Sequence, residues 1–312
     1  MNGRRPRFRR SLVSSVAAGL LIVSASLAQD GAAPTRVNGD VVYGHKLGMA
    51  LTLDVLTPAR QNGAGVLFMV SGGWVSNWND PQAAVASGAI QRRFGVLLDR
   101  GFTVFLVRHG SSPLFKVPDA VADVREAVRF VRSNAAKLGV DPERLGVFGG
   151  SAGGHLSLML GLAGNGAQPA AGDGAAPTAS GASVEVAAVA AYFPPVDLRR
   201  LVGPSERFPA LDFAPELADD VSPLLFVSAD DPPVLLVHGT ADTLVPLSNS
   251  QILHEALNGQ HVETRLIVLE GAGHGFEGEQ AQQAITAVAD WFTEHLAPAR
   301  AGNPASTTTP QP

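Results

Sequence analysis

Hydrophobic positions along this chain come in two textures. Short unbroken apolar runs at 65–70, 102–107, 145–148, 184–192, 234–237 and 264–269 alternate with longer stretches at 84–100, 119–138, 152–162, 248–257 and 280–296. Runs of the first kind are expected to be strands buried on both faces, and the longer stretches helices with an apolar side. In 119–138, Val121, Val124, Val128 and Val131 share one stripe while Arg125, Arg129 and Arg132 share another. That helix is expected to pack on the sheet and do no chemistry. Ahead of these elements, 37–57 reads as a hairpin, with Val41-Val42-Tyr43 in its first strand and 51–56 in its second, before Pro58. The pattern predicts an α/β protein with a mostly parallel central sheet and helices on both faces.

Two internal stretches break the alternation. Residues 164–183 are rich in Gly, Ala and Pro and read as a flexible insertion. Residues 199–229 carry Pro204, Pro209, Pro215 and Pro223 without periodicity, which suits a short irregular cap over a site. No repeat or dividing linker interrupts 37–297, so one catalytic domain is expected there, followed by a disordered tail at 298–312. At the other end, Arg4, Arg5, Arg7, Arg9 and Arg10 precede an apolar run at 12–23, and Ser26-Leu27-Ala28 follows. This is the grammar of a signal peptide over 1–28 cleaved near Ala28-Gln29, and the run is short for a membrane span. An exported protein, periplasmic or extracellular, without stable membrane insertion is the expectation.

Charge narrows the partners. The chain carries 23 basic and 28 acidic residues, and loss of 1–28 would remove five arginines and no acid, leaving −10. An acidic chain of this kind is not expected to bind nucleic acid. The absence of cysteine excludes a disulfide scaffold, a thiolate metal site and a cysteine nucleophile.

The strongest chemical signal is Leu145-Gly146-Val147-Phe148-Gly149-Gly150-Ser151-Ala152-Gly153-Gly154, a G-x-S-x-G set between a predicted strand and a predicted helix. In that context the turn lifts a nucleophilic serine above the sheet at a helix N-terminus. A serine needs a base, and the base needs an orienting acid. Two later runs end in suitable groups: 234–237 leads through His238-Gly239-Thr240-Ala241 to Asp242, and 264–269 leads through Gly271-Ala272-Gly273 to His274. Ser151, Asp242 and His274 are the expected catalytic set. Asp197, which follows 184–192 through Pro194-Pro195, is the main rival acid, whereas Asp230 and Asp231 precede their strand and lie at the wrong edge. Among other histidines, His238 is expected to shape the acid's loop, His155 to line the floor of the site, and His109 to be structural or to border the pocket. The run 65–70 ends in Ser71-Gly72-Gly73-Trp74, where close backbone approach is possible. Gly72, Gly73 and Ala152 are the expected oxyanion donors, with the Trp74 amide a further option. Trp74 and Trp78 are candidates to flank the pocket.

The set SGGW, GGSAGGH, HGTAD and GAGHGF, in this order and spacing, resembles the α/β-hydrolase superfamily over about residues 40–296. More closely it resembles the secreted esterases that include acetyl-xylan and feruloyl esterases and relatives of the prolyl oligopeptidase catalytic domain. The chain departs from esterases similar to hormone-sensitive lipase, having Val70-Ser71-Gly72-Gly73 in place of His-Gly-Gly-Gly. The resemblance implies hydrolysis of short-chain or carbohydrate-linked carboxylic esters through an acyl-enzyme, with a small-molecule or polysaccharide-linked ester as substrate. It implies no metal and no organic cofactor. A serine exopeptidase, for which Glu206 and Glu216 would have to hold a substrate N-terminus, is the alternative, followed by a non-catalytic carbohydrate-associated protein.

Overall fold

The computed structural model describes residues 35–164 and 183–298. The expected signal peptide, the interior of the 164–183 insertion and the tail after residue 298 lie outside the described residues. The strands are β1 (Arg36–Lys46), β2 (Met49–Thr57), β3 (Gly65–Met69), β4 (Thr103–Val107), β5 (Leu145–Gly150), β6 (Ala188–Tyr192), β7 (Val234–Gly239) and β8 (Thr264–Leu269). They form one sheet in the order β1-β2-β4-β3-β5-β6-β7-β8. Only β2 runs against the rest, pairing antiparallel with both β1 and β4, while every other pairing is parallel. The β1–β2 connection is Leu47-Gly48 with φ of 48° and 78°, the paired positive values that a two-residue hairpin turn requires.

The helices are α1 (Pro81–Ala86), α2 (Ala89–Asp99), α3 (Val117–Ser133), α4 (Ala135–Leu138), α5 (Ala152–Leu162), α6 (Ser248–Gly259) and α7 (Gly278–His295). Strand alternation distributes the core to both faces. In β3, Leu67 and Met69 join the cluster under α3, α5 and α6, while Val66 and Phe68 join the one under α2 and α7. Helix α5 is buried nearly all round, which explains a sequence apolar on every side rather than along one stripe.

Several expected boundaries shift, each for a local reason. The stretch read as one helix over 84–100 is two, because Gly88 at φ 70° reverses the chain between α1 and α2. The helix read over 119–138 breaks at Asn134 between α3 and α4. The strand read over 184–192 keeps only Ala188–Tyr192. Arg125 is buried with the valines of α3 rather than lying on its polar stripe. The segment 199–229 is irregular as expected: it holds four single turns of 3₁₀ helix, Pro209–Leu211, Pro215–Leu217, Asp219–Val221 and Pro223–Phe226. Three of the four begin with proline, whose fixed φ suits the first position of a helical turn. Among the described residues, no helix is long and apolar enough to cross a membrane.

Candidate active site

The turn from β5 to α5 sets the geometry of Ser151. Its backbone sits at φ 55°, ψ −121°, a strained conformation for a residue with a side chain. The amide of Ser151 donates to the Tyr192 carbonyl at the end of neighbouring β6 (2.9 Å), which holds the strain in place. The flanking glycines are required by space. A Cβ on Gly149 would stand 2.5 Å from the Gly153 carbonyl carbon, and one on Gly153 would stand 2.7 Å from the Met69 oxygen.

Loops from two further strands meet the serine at the same edge of the sheet. The Ser151 hydroxyl donates to His274 Nε2 (2.9 Å), and His274 Nδ1–H donates to Asp242 Oδ2 (2.8 Å). An ionised carboxylate only accepts, so this bond fixes the proton on Nδ1 and leaves Nε2 free to receive one. The second Asp242 oxygen accepts the amides of Leu244 and Val245, each at 2.9 Å. Burial pushes the Asp242 carboxyl up, but the Val245 amide, the His274 ring and the Leu244 amide outweigh it and hold it below the usual carboxylate range. The arrangement can therefore draw a proton from the hydroxyl to an imidazole whose charged form has a carboxylate waiting.

The rival acid lies elsewhere. Asp197 accepts from Arg199 through Nε (2.9 Å) and Nη2 (2.7 Å), and that guanidinium holds its carboxyl below the usual range. Buried His238 donates to the Val245 carbonyl and accepts from Ser250 (2.8 Å each), bracing the loop that carries Asp242. His109 donates to the Gly110 carbonyl (2.8 Å) and accepts from Ser71 (2.9 Å), behind the loop that follows β3. Glu206 and Glu216 are both exposed in the cap.

The loop after β3 differs from its sequence reading. Gly72 and Val75 exchange both backbone bonds, at 3.0 and 3.1 Å, around Gly73 (φ 60°) and Trp74 (φ 58°). This is a tight turn with two left-handed residues. It engages the Gly72 amide, so Gly72 is corrected as an oxyanion donor. The amides of Gly73, Trp74 and Ala152 have no protein partner among the described residues. Trp78 is a second correction: it is 58% exposed and donates to Asp40 (2.8 Å), so it lies on the surface and flanks neither Ser151 nor His274 in any contact among the described residues. Trp74 is buried and donates through its indole N–H to His155 Nδ1 (3.3 Å), while His155 Nε2–H donates to the Val221 carbonyl of the cap (2.7 Å). Burial pushes His155 down to about 4, so it is neutral across the physiological range.

Sequence reading missed Phe193. Its ring lies 4.6 Å from that of His274, and its backbone takes φ 37° at the end of β6. An aromatic residue at a strand's carboxyl end, directly before Pro194-Pro195, was the available signal.

A family model described as BD-FAE matches residues 53–257, well over half of the chain and all of the β5–α5 turn. The chain belongs to the BD-FAE family. Its α/β-hydrolase fold is shared with solved esterases. A truncated form of a carbohydrate esterase from gut microbiota superposes on this BD-FAE member with a TM-score of 0.69 at 30% identity, over 84% of this chain and 97% of that one. The propionate-bound Est2 esterase of the planctomycete Thermogutta terrifontis gives 0.67 at 27% identity, over 86% and 97%. Esterase LipC of Mycobacterium tuberculosis is 31% identical over 227 residues, 69% of this BD-FAE chain and 53% of LipC. The chain spans about half the length of the curated relatives it matches. A second family model, TAP-like protein, matches residues 218–303.

Proposed function

We propose that this protein hydrolyses carboxylic esters through an acyl-enzyme on Ser151, within a catalytic domain spanning 37–297. The observation that carries the reading is the unbroken line from the Ser151 hydroxyl to His274 Nε2 (2.9 Å) and from His274 Nδ1 to Asp242 (2.8 Å). Ser151 Oγ attacks the ester carbonyl as His274 takes its proton, and Asp242 steadies the imidazolium. The amides of Ala152 and Gly73, joined by Trp74, are the donors available to the developing oxyanion. His274 then protonates the departing alcohol, and the same base activates water to release the acid.

Short acyl groups are the favoured substrates in this reading, supported by the propionate- and butyrate-bound forms of Thermogutta terrifontis Est2. A sugar-linked ester draws its support from the carbohydrate esterase relative. The Arg-rich start and the Ser26-Leu27-Ala28 end of the leader support export with cleavage near Gln29. Two experiments test the proposal. A panel of nitrophenyl esters of rising acyl length should show highest kcat/KM for short chains, and preference for an aminoacyl anilide would overturn ester hydrolysis. Est2 is known in a form phosphorylated by paraoxon. Paraoxon should likewise inactivate this chain with one phosphoryl group on Ser151, and labelling elsewhere would remove Ser151 as nucleophile.

A further inference from the structure

Beside the serine and the histidine lies a cavity of about 780 Å³ that the chemistry above does not use. Gly150, next to Ser151, and Gly275, next to His274, line it together with Phe193. Residues of α2 and of the first turns of α7 line it as well. A second cavity of about 550 Å³ adjoins it, and the two share Phe68, Ala89 and Arg93. The Arg93 guanidinium is therefore set where both open. Although the residue is exposed, its guanidinium is stacked over the Phe68 ring at 4.5 Å and lies 5.6 Å from the centroid of Phe94, contacts that favour this position. Among the described residues no carboxylate lies within ion-pair distance of it. Tyr192 lines the same cavity, and its buried hydroxyl has no hydrogen-bond partner among the described residues. A buried polar group in that condition calls for a partner. Arg92 and Arg93 face one carboxylate, Glu277, across the cavity, which makes it locally cationic in a chain of net charge −5.

His274 must deliver its proton to the leaving oxygen, so the alcohol half of the ester has to lie on the His274 side, where Gly275 and Phe276 wall this cavity. Resting on the ester-hydrolase reading, we propose that the cavity is the leaving-group subsite and selects alcohols with an aromatic or apolar body bearing a carboxylate. The body packs among Phe68, Phe148 and Phe276, and the anion pairs with Arg93. An arginine fork meets a carboxylate in two parallel bonds, which gives orientation as well as attraction.

The test compares two acetyl esters of matched shape, 4-acetoxybenzoate and 4-acetoxybenzamide, on wild type, Arg93→Gln and Arg93→Lys. The ratio of kcat/KM between the esters, followed across variants, cancels their different intrinsic reactivities. Arg93→Gln should lower the ratio about tenfold through KM for the benzoate, with the benzamide nearly unchanged, as expected for one charge-assisted contact. Arg93→Lys should recover part of it. In wild type, raising the salt concentration should erode the ratio, an arm that stands even if a variant fails to fold. An unchanged ratio in salt or in Arg93→Gln, or an equal fall for both esters, would overturn the subsite. If wild type turns over neither ester and paraoxon leaves Ser151 unlabelled, the hydrolase reading itself fails instead.

Discussion

The two halves of the site are built in different ways. On one side, Ser151, His274 and Asp242 are brought together by side chains at the ends of β5, β8 and β7, and each bond runs between groups named by the sequence. On the other, the loop after β3 works through its backbone, and its turn engages Gly72, buries Trp74 and leaves Trp78 on the surface. Side-chain chemistry follows from residue type and from the strand that presents it. Amide chemistry depends on which N–H groups the surrounding turn leaves unpaired, and that is decided only once the chain has folded.

This contrast can be broken or sharpened by experiment. The largest effect is expected from Ser151→Ala, which should lower kcat by about a millionfold if the three side chains act as a unit. Its melting temperature should stay near wild type, and turnover within tenfold of wild type would move the nucleophile elsewhere. Next, Asp242→Asn should cost about 10⁴-fold in kcat by favouring the wrong imidazole tautomer. Asp197→Asn should cost no more than about twofold, because Asp197 is tied to a half-exposed Arg199. The reverse pattern would transfer the acid's role to Asp197.

The backbone side responds more in stability. His155 has a folded-state pKa near 4 against an ordinary value of 6.5. The unfolded chain therefore binds this proton first, and stability should fall as pH drops from about 6.5 towards 4, by about 3 kcal/mol from this group. Chemical denaturation at several pH values should show a flatter profile in that window for His155→Gln, and an identical slope would exclude His155 as the source. A loss of turnover smaller than that of Asp242→Asn is expected from Trp74→Phe, which removes the indole donor and keeps most of the ring. It should reduce kcat roughly tenfold with KM little changed if the His155 bond holds the loop in register. An unaltered kcat would mean that the turn alone positions the amides.

Much of this was legible beforehand. The apolar runs located every strand from β3 to β8, and for β3 to β7 the reason is that buried parallel strands tolerate few polar residues. Strand β8, expected to be buried on both faces, is a partly exposed edge strand in which only Leu269 is buried. The G-x-S-x-G turn was readable because its glycines answer a steric need, seen in the 2.5 Å that would separate a Gly149 Cβ from Gly153. Gly88 was not read as a helix break, since a single glycine is compatible with a helix until its φ is known. The family likeness did not help with Trp78 either, because its direction is set by Asp40, 38 residues away in sequence. Phe193 and Arg93 belong to no motif. They matter through neighbours on other elements, which periodicity along one segment cannot convey.

The bond from His155 to the Val221 carbonyl gives the cap a clock. With the cap in place the His155 imidazole N–H is buried and bonded to the Val221 carbonyl, so that proton exchanges with solvent only when the cap opens. Its exchange rate, read by NMR, counts openings per second and can be set beside turnover. Exchange slower than turnover would mean that successive substrates arrive and depart beneath a closed cap. The cavity lined by α2 and α7, which reaches Gly150 and Gly275 beside Ser151 and His274, offers such a route.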